Sequence, residues 1–224
     1  MKFREFLKRM LEDGDHGKLL QSKLLKSKNL KNLKRTASSL ISFLYGDELI
    51  IFRAAEALGI VCGELEKEDD EFVRGILRRL FWHLSDESGA YCRGAPIAIG
   101  EIGRTAIKAF DGFKNMTVSL LDNKEVELKY VIYAIGRAAE SVRNAYPDPV
   151  EKLIQLLKHE NAEIRGYSAW ALGELKAEKA IKELEKLIGD EEEIILYTGF
   201  FKRVEIRDVV KEALEKIYSD SAVM

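Results

Sequence analysis

Residues 161–175 read Asn161-Ala-Glu-Ile-Arg-Gly-Tyr-Ser-Ala-Trp-Ala-Leu-Gly-Glu-Leu175. Ile164, Ala169, Leu172 and Leu175 recur at helical spacing, so the stretch predicts a helix with one apolar stripe. Asn161 stands where a helix start needs a side-chain acceptor for its free N–H groups. Ala171-Leu172-Gly173 adds a second property. Ala and Gly let another helix come close, while Leu fills the space between layers.

The same design recurs along the chain. Arg53-Ala-Ala-Glu-Ala-Leu-Gly59, Ala95-Pro-Ile-Ala-Ile-Gly100 and Val131-Ile-Tyr-Ala-Ile-Gly136 each end in Ala-Leu-Gly or Ala-Ile-Gly. A degenerate fifth copy, Val209-Val-Lys-Glu-Ala-Leu-Glu215, has Glu in place of the last Gly. The terminal positions 59, 100, 136, 173 and 215 are 41, 36, 37 and 42 residues apart. That period suits a solenoid of helix pairs, in which each pair buries its apolar face against the next. Arg165 and Arg207 each precede the terminal position of their copy by eight residues, in the same register.

The composition agrees with an all-α class. Of 224 residues 46% are hydrophobic, enough for a core, and only three are proline. Leu, Ala, Glu and Lys dominate, and all favour helix. No apolar run reaches the ~18 residues that span a bilayer; the greasiest, Leu49 to Gly63, is interrupted by Arg53 and Glu56. The start, Met1-Lys2-Phe3-Arg4-Glu5, is charged and lacks a signal peptide's apolar core, which makes a cytoplasmic location the expectation. Cys62 and Cys92 have no Cys or His at metal-ligand spacing and are expected to be reduced and buried. His16, His83 and His159 are scattered, so neither a metal nor another cofactor is expected. The net charge of −2 conceals an asymmetry: His16 to Gly46 holds seven basic residues and no acidic one. A solvated helix face or an anionic partner would each account for it.

Residues 161–175 resemble a HEAT-like repeat of the phycobilin-lyase type. The resemblance extends as an array over residues 29–217 and is sharpest over 148–217. It implies an α-α superhelix of the HEAT/armadillo class whose second helices line a concave face. It implies little about activity, because such repeats serve unrelated partners. The expectation is therefore one domain, 1–224, with N-terminal helices at about 2–11 and 18–26. Five helix pairs follow, at about 29–45 with 48–66, 70–84 with 94–103, 105–121 with 125–143, 148–158 with 162–175, and 177–188 with 205–218. Asp148-Pro149 is a helix start, with Asp as cap and Pro at the first helical position.

Two segments depart from the repeat. Residues 193–206 are rich in β-branched and aromatic side chains around Thr198-Gly199, which predicts a small β-hairpin inserted near the C-terminus. Covering the last layer of the stack and contacting a partner are the two roles open to it. The second departure is Trp82-His-Leu-Ser-Asp-Glu-Ser-Gly-Ala-Tyr-Cys-Arg-Gly-Ala-Pro96. This linker within the second pair, residues 85–93, is longer than packing requires. Its polar groups fit a partner site bordering the concave groove, with Trp82, Asp86, Glu87 and Arg93 as contacts. His83, Ser85 and Asp86 lie too close in sequence to form a nucleophile–base–orienter set, and no catalytic residue is assigned.

The function expected is a protein-interaction or scaffold module. Its concave surface would present Glu56, Glu101, Tyr130, Arg137, Arg165, Trp170 and Glu174, since Trp, Tyr and Arg are the usual interface anchors. The alternatives are an enzyme subunit of the lyase type, which needs a bilin pocket, and a HEAT-like DNA glycosylase, which needs a strongly basic face. The acidic balance outside residues 16–46 disfavours nucleic acid, leaving another protein as the expected partner.

Overall fold

The computed structural model describes residues 3–15, 17–18, 29–84 and 91–221. Most of the expected helix at 18–26 and loop residues 85–90 lie outside them. The chain forms two compact units, residues 1–113 and 114–224.

The first unit contains α1 (Phe3–Glu12), α2 (Leu30–Leu40, continued by a 3-10 turn at Ile41–Phe43), α3 (Glu48–Glu66), α4 (Asp70–Trp82), α5 (Ala95–Thr105) and the short α6 (Ile107–Phe110). Short polar side chains start its helices. Asn29 Oδ1 accepts from the Asn32 N–H at 3.1 Å and Asp69 Oδ1 from the Phe72 N–H at 3.0 Å. Both satisfy amides that a helix start leaves without partners. The core is the parallel packing of α3 on α5. Gly59 lies against Glu101 and Gly63 against Thr105, so the register advances equally on both helices. A Cβ on Gly59 would sit 2.6 Å from the Glu101 carbonyl oxygen. The glycine of the repeated motif is thus the point of closest approach. Ala54, Ala55, Ala57, Leu58, Val61 and Leu65 are buried around it. Each buried Leu or Val contributes about 1.5–3 kcal/mol relative to exposure. Arg53, in the same copy, donates from Nη1 to the Leu11 carbonyl at 2.8 Å and so closes the C-terminal end of α1.

The second unit contains α7 (Lys114–Ser119), α8 (Leu128–Arg137), α9 (Ala139–Val142), α10 (Pro149–Leu156), α11 (Ala162–Glu174), α12 (Ile181–Glu185), strands β1 (Glu193–Tyr197) and β2 (Phe201–Glu205), and α13 (Ile206–Ser221). The expected caps form. Asp148 Oδ1 accepts from the Val150 N–H at 2.9 Å, with Pro149 as the first helical residue. Asn161 Oδ1 accepts from the Glu163 N–H at 2.8 Å. Helix α11 packs between α8 and α13 through the glycines of successive copies. A Cβ on Gly136 would lie 2.3 Å from the Trp170 ring, and one on Gly173 would lie 2.7 Å from the Ala213 Cα. Helix α11 ends with Lys176 in the left-handed region, φ 53, while the Ala177 N–H reaches back to the Leu172 carbonyl at 3.1 Å. That bond satisfies a carbonyl the last turn would leave open.

Three expected helices are shorter than the periodicity suggests. The helix expected at 105–121 is broken, with a 3-10 turn at Asp111–Phe113 and another at Leu120–Asp122. Asp111 and Gly112 are poor helix formers, and the break falls on them. The helix expected at 125–143 is interrupted at Ala138, φ −92 and ψ 21. The helix expected at 177–188 keeps only a 3-10 turn at Glu178–Ala180 and α12.

The hairpin is present. Strands β1 and β2 pair antiparallel, Glu193 opposite Glu205 through Tyr197 opposite Phe201. Gly199 takes φ +94 at the turn, a conformation that L side chains avoid. Strand β1 lies on α11, where Ile194 fills the notch left by Gly166 and Tyr167 Oη donates to the Ile195 carbonyl at 3.0 Å. Strand β2 rests on α13. Leu196 and Lys202 of the ribbon line one hollow with Asp208, Lys211 and Glu215 of α13, so the ribbon borders the outer side of the last helix. Gly166 and Gly173 of α11, which receive the ribbon and α13, correspond in the repeat to Asp208 and Glu215, and both are exposed. A charged outer face is how a terminal repeat avoids recruiting another layer.

Candidate partner-binding face

Tyr45 and Trp82 are the two exposed aromatic side chains of the first unit among the described residues, at 46% and 59% exposure. Tyr45 follows the 3-10 turn after α2, and Trp82 is the last residue of α4. His83 joins them. Its ring lies 5.2 Å from the Trp82 ring and meets the Tyr45 ring edge-on at 6.0 Å. Arg79, one turn earlier on α4, donates from Nε to His83 Nε2 at 3.4 Å. That bond makes Nε2 an acceptor and leaves Nδ1 to donate to Tyr45 Oη, 3.2 Å away. The imidazole therefore links Tyr45 and Arg79 through its two nitrogens and lies against the Trp82 ring. Immobilised Trp, Tyr and Arg side chains lose little entropy on contact, which is why they dominate interface energetics.

The linker's other described residues differ in exposure. Arg93 is exposed, Tyr91 half-buried and Cys92 buried, with its Sγ 3.8 Å from the Leu44 carbonyl oxygen. Burial pushes the Cys92 thiol up from its ordinary value. Burial, with the charge of Glu66 second, does the same to Cys62. Both cysteines are thus inert small hydrophobes, as the sequence suggested.

The expected site residues divide into distinct environments. Trp82 and Arg93 are exposed near one another in sequence, and Asp86 and Glu87 lie outside the described residues. Glu101 is only 1% exposed and accepts from Arg104 Nε at 3.0 Å. Tyr130 is completely buried. Trp170 is buried and stacks on Tyr133 at 5.3 Å, and Arg137 lies over the same Tyr133 ring at 5.9 Å. Tyr197 of β1 meets Tyr133 edge-on at 6.4 Å, so the ribbon completes this aromatic cluster. Arg165 pairs with Asp190 at 2.9 Å and donates from Nη1 to the His159 and Glu160 carbonyls. Its side chain is 12% exposed, so it clamps the loop ahead of the ribbon. Glu56 is half-buried, and Glu174 pairs with Lys216 at 2.6 Å. Tyr45, Arg79 and His83 were not expected as site residues. No local signal links Tyr45 to His83, which is 38 residues away.

Among the described residues no three His, Cys, Asp or Glu side chains are grouped to hold a metal ion, and no helix is long and apolar enough to cross a membrane.

A protein of Archaeoglobus fulgidus, described as uncharacterized, is 48% identical over 191 residues, 84% of this chain and 99% of that protein. The chain belongs to the same family. The family model for HEAT repeats matches residues 118–197. Two solved structures are similar to this chain at low identity. An engineered protein is 17% identical with a TM-score of 0.49, covering 96% of this chain and 97% of that one. A designed armadillo repeat protein is 19% identical with a TM-score of 0.49, covering 96% and 100%.

Proposed function

We propose that this HEAT-repeat protein is an interaction module that binds another protein through the face formed by Trp82, Tyr45 and Arg79, with Arg93 of the same linker as a further contact. The observation that carries the reading is the pinned, exposed Trp82–His83–Tyr45 group. Large aromatic side chains held at the surface by a polar partner neither stabilise a core nor increase solubility, and they are the usual anchors of interfaces. Asp86 and Glu87 join this face by their place on the same linker. Glu101, Tyr130, Arg165 and Trp170 act as packing and positioning residues, and Arg137 lies over the Tyr133 ring on which Trp170 stacks. The common repeat spacing supports reading residues 1–224 as one array. The phycobilin-lyase-type resemblance of residues 161–175 is read as shared repeat packing rather than shared chemistry.

The test is parallel affinity purification of the tagged chain and two variants from cells of its source. Trp82→Ala removes the anchor. Tyr146→Ala removes an aromatic side chain that is 82% exposed in the other unit. The reading expects a protein recovered in constant ratio with wild type and Tyr146→Ala, and lost with Trp82→Ala at unchanged melting temperature. Equal recovery with all three contradicts it.

A further inference from the structure

A second feature adjoins Arg79. A slot of about 200 Å³ opens between α2 and α4, lined by Ser38, Ile41, Phe72, Gly75, Ile76 and Arg79. Gly75 is its unusual member. It lies in the interior of α4, where glycine weakens a helix. Four other helical glycines are explained by close approach, since a Cβ at Gly59, Gly136, Gly166 or Gly173 would collide with a neighbour at 2.3–2.7 Å. At Gly75 a Cβ would meet only Arg78 Nη2, at 3.8 Å. Packing within the chain therefore does not require this glycine, and its effect is to keep the slot open.

The charges around the slot are basic in excess. Helix α2 has no carboxylate, and it carries Lys31, Lys34 and Arg35. The carboxylates at the start of α4 are already engaged, Asp69 by Lys34, Asp70 by Arg74 and Lys108, and Glu71 by Arg74 and Arg78. Arg79 has no carboxylate partner among the described residues. Its Nε is held by His83, which leaves Nη1 and Nη2 side by side at the rim. Two parallel guanidinium donors match a carboxylate. The apolar walls, Ile41, Phe72 and Ile76, match a Leu or Phe side chain.

From these observations we infer that the slot takes an apolar side chain of an acidic peptide segment, with a neighbouring Asp or Glu carboxylate on Arg79. This deepens the proposed function, because it names the partner's chemistry at the edge of the same face. The segment continues from Arg79 across His83 toward Trp82.

The experiment uses the full chain and fluorescein-labelled hexapeptides with Leu or Phe between Asp and Glu residues, read by fluorescence polarisation. Control peptides carry Lys at each acidic position or Gly at the apolar one. The variants are Gly75→Leu, whose Cβ meets only the tip of Arg78 and whose side chain fills the slot, Arg79→Glu, and Lys182→Glu in the second unit. Saturable binding of the acidic peptides is expected. Both slot variants weaken it at least ten-fold, while Lys182→Glu leaves it unchanged. The Lys and Gly peptides bind at least ten-fold more weakly. Gly75→Leu should melt no lower than wild type, so loss of binding cannot be ascribed to unfolding. No binding, equal binding of Lys or Gly peptides, or insensitivity to Gly75→Leu overturns the inference. Competition by inorganic phosphate that is indifferent to the apolar residue does so too, because the slot would then be a bare anion site. If the inference fails while Trp82→Ala still loses the co-purified protein, the interaction reading stands without the slot.

Discussion

The same substitution, Gly to Ala, should have opposite effects at two helix-interior positions. At Gly75 the added methyl meets only the tip of Arg78 at 3.8 Å, so the change in helix propensity acts alone. That gain is about 1 kcal/mol, or roughly 2–4 °C in Tm for a chain of this size. At Gly173 the methyl would sit 2.7 Å from the Ala213 Cα and 2.8 Å from its Cβ. Main chain cannot swing aside as a side-chain tip does, so α13 must move outward by several tenths of an ångström and lose contact with α11. Overpacking of that kind costs about 1–3 kcal/mol. The backbone contact places it in the upper half of the range, and subtracting the propensity gain leaves a net loss of about 1–2 kcal/mol. Thermal melts followed by circular dichroism, with urea titrations for the free energies, provide the assay. A Gly173→Ala chain that melts at or above wild type would show that close helix approach is not why the repeated motif ends in glycine. A Gly75→Ala chain that melts lower would remove the argument that the slot is kept open at the expense of stability.

Other consequences follow from particular contacts. Arg165→Met removes the Asp190 pair and two carbonyl contacts and strands a mostly buried carboxylate, so it should cost about 2–4 kcal/mol by urea titration; no measurable change would refute its role as a clamp. Tyr167→Phe deletes the donor to the Ile195 carbonyl, at about 1 kcal/mol, and should speed amide exchange in residues 193–197 well before it speeds exchange in α11. Asp69, Asp70 and Glu71 have their carboxyls held below the ordinary range, chiefly by hydrogen bonds from Lys34, Lys108 and Arg78 respectively. A lowered folded pKa gives stability that is present above the unfolded value and lost as pH falls through the folded one. The urea midpoint should therefore drop on acidification below the ordinary carboxylate range, and less steeply in Asp69→Asn; a midpoint that rises there contradicts the assignment.

The array was legible in the sequence because one motif does two jobs. Ala-Leu/Ile-Gly marks both the apolar stripe of a second helix and the place where the next one meets it, so repetition reveals the stacking directly. The hairpin was legible because β-branched and aromatic residues gather around Thr198-Gly199 in an otherwise helical chain. Its position was not, since nothing local says that Gly166 is the notch for Ile194. The candidate face was only half visible. Trp82 and Arg93 stand out on an overlong linker, but Tyr45 joins them only through tertiary structure. Residues chosen from the second helices as concave anchors, Glu101, Tyr130 and Trp170, are buried. Motif position identifies which helix a residue is on, whereas burial depends on how closely the neighbours pack. Gly75 was readable as a helix-interior glycine outside the repeated motif, but its significance needed the empty space above it.

The claim that Trp82 is a contact residue is tested most directly by photo-crosslinking. A photoreactive amino acid is placed at position 82, and in a parallel chain at position 182, in cells of the source organism. The account predicts one discrete crosslinked protein from position 82 and none from position 182. It also predicts that this adduct disappears when Arg79→Glu is added. Position 82 yielding no adduct, or the same adducts as position 182, would contradict it.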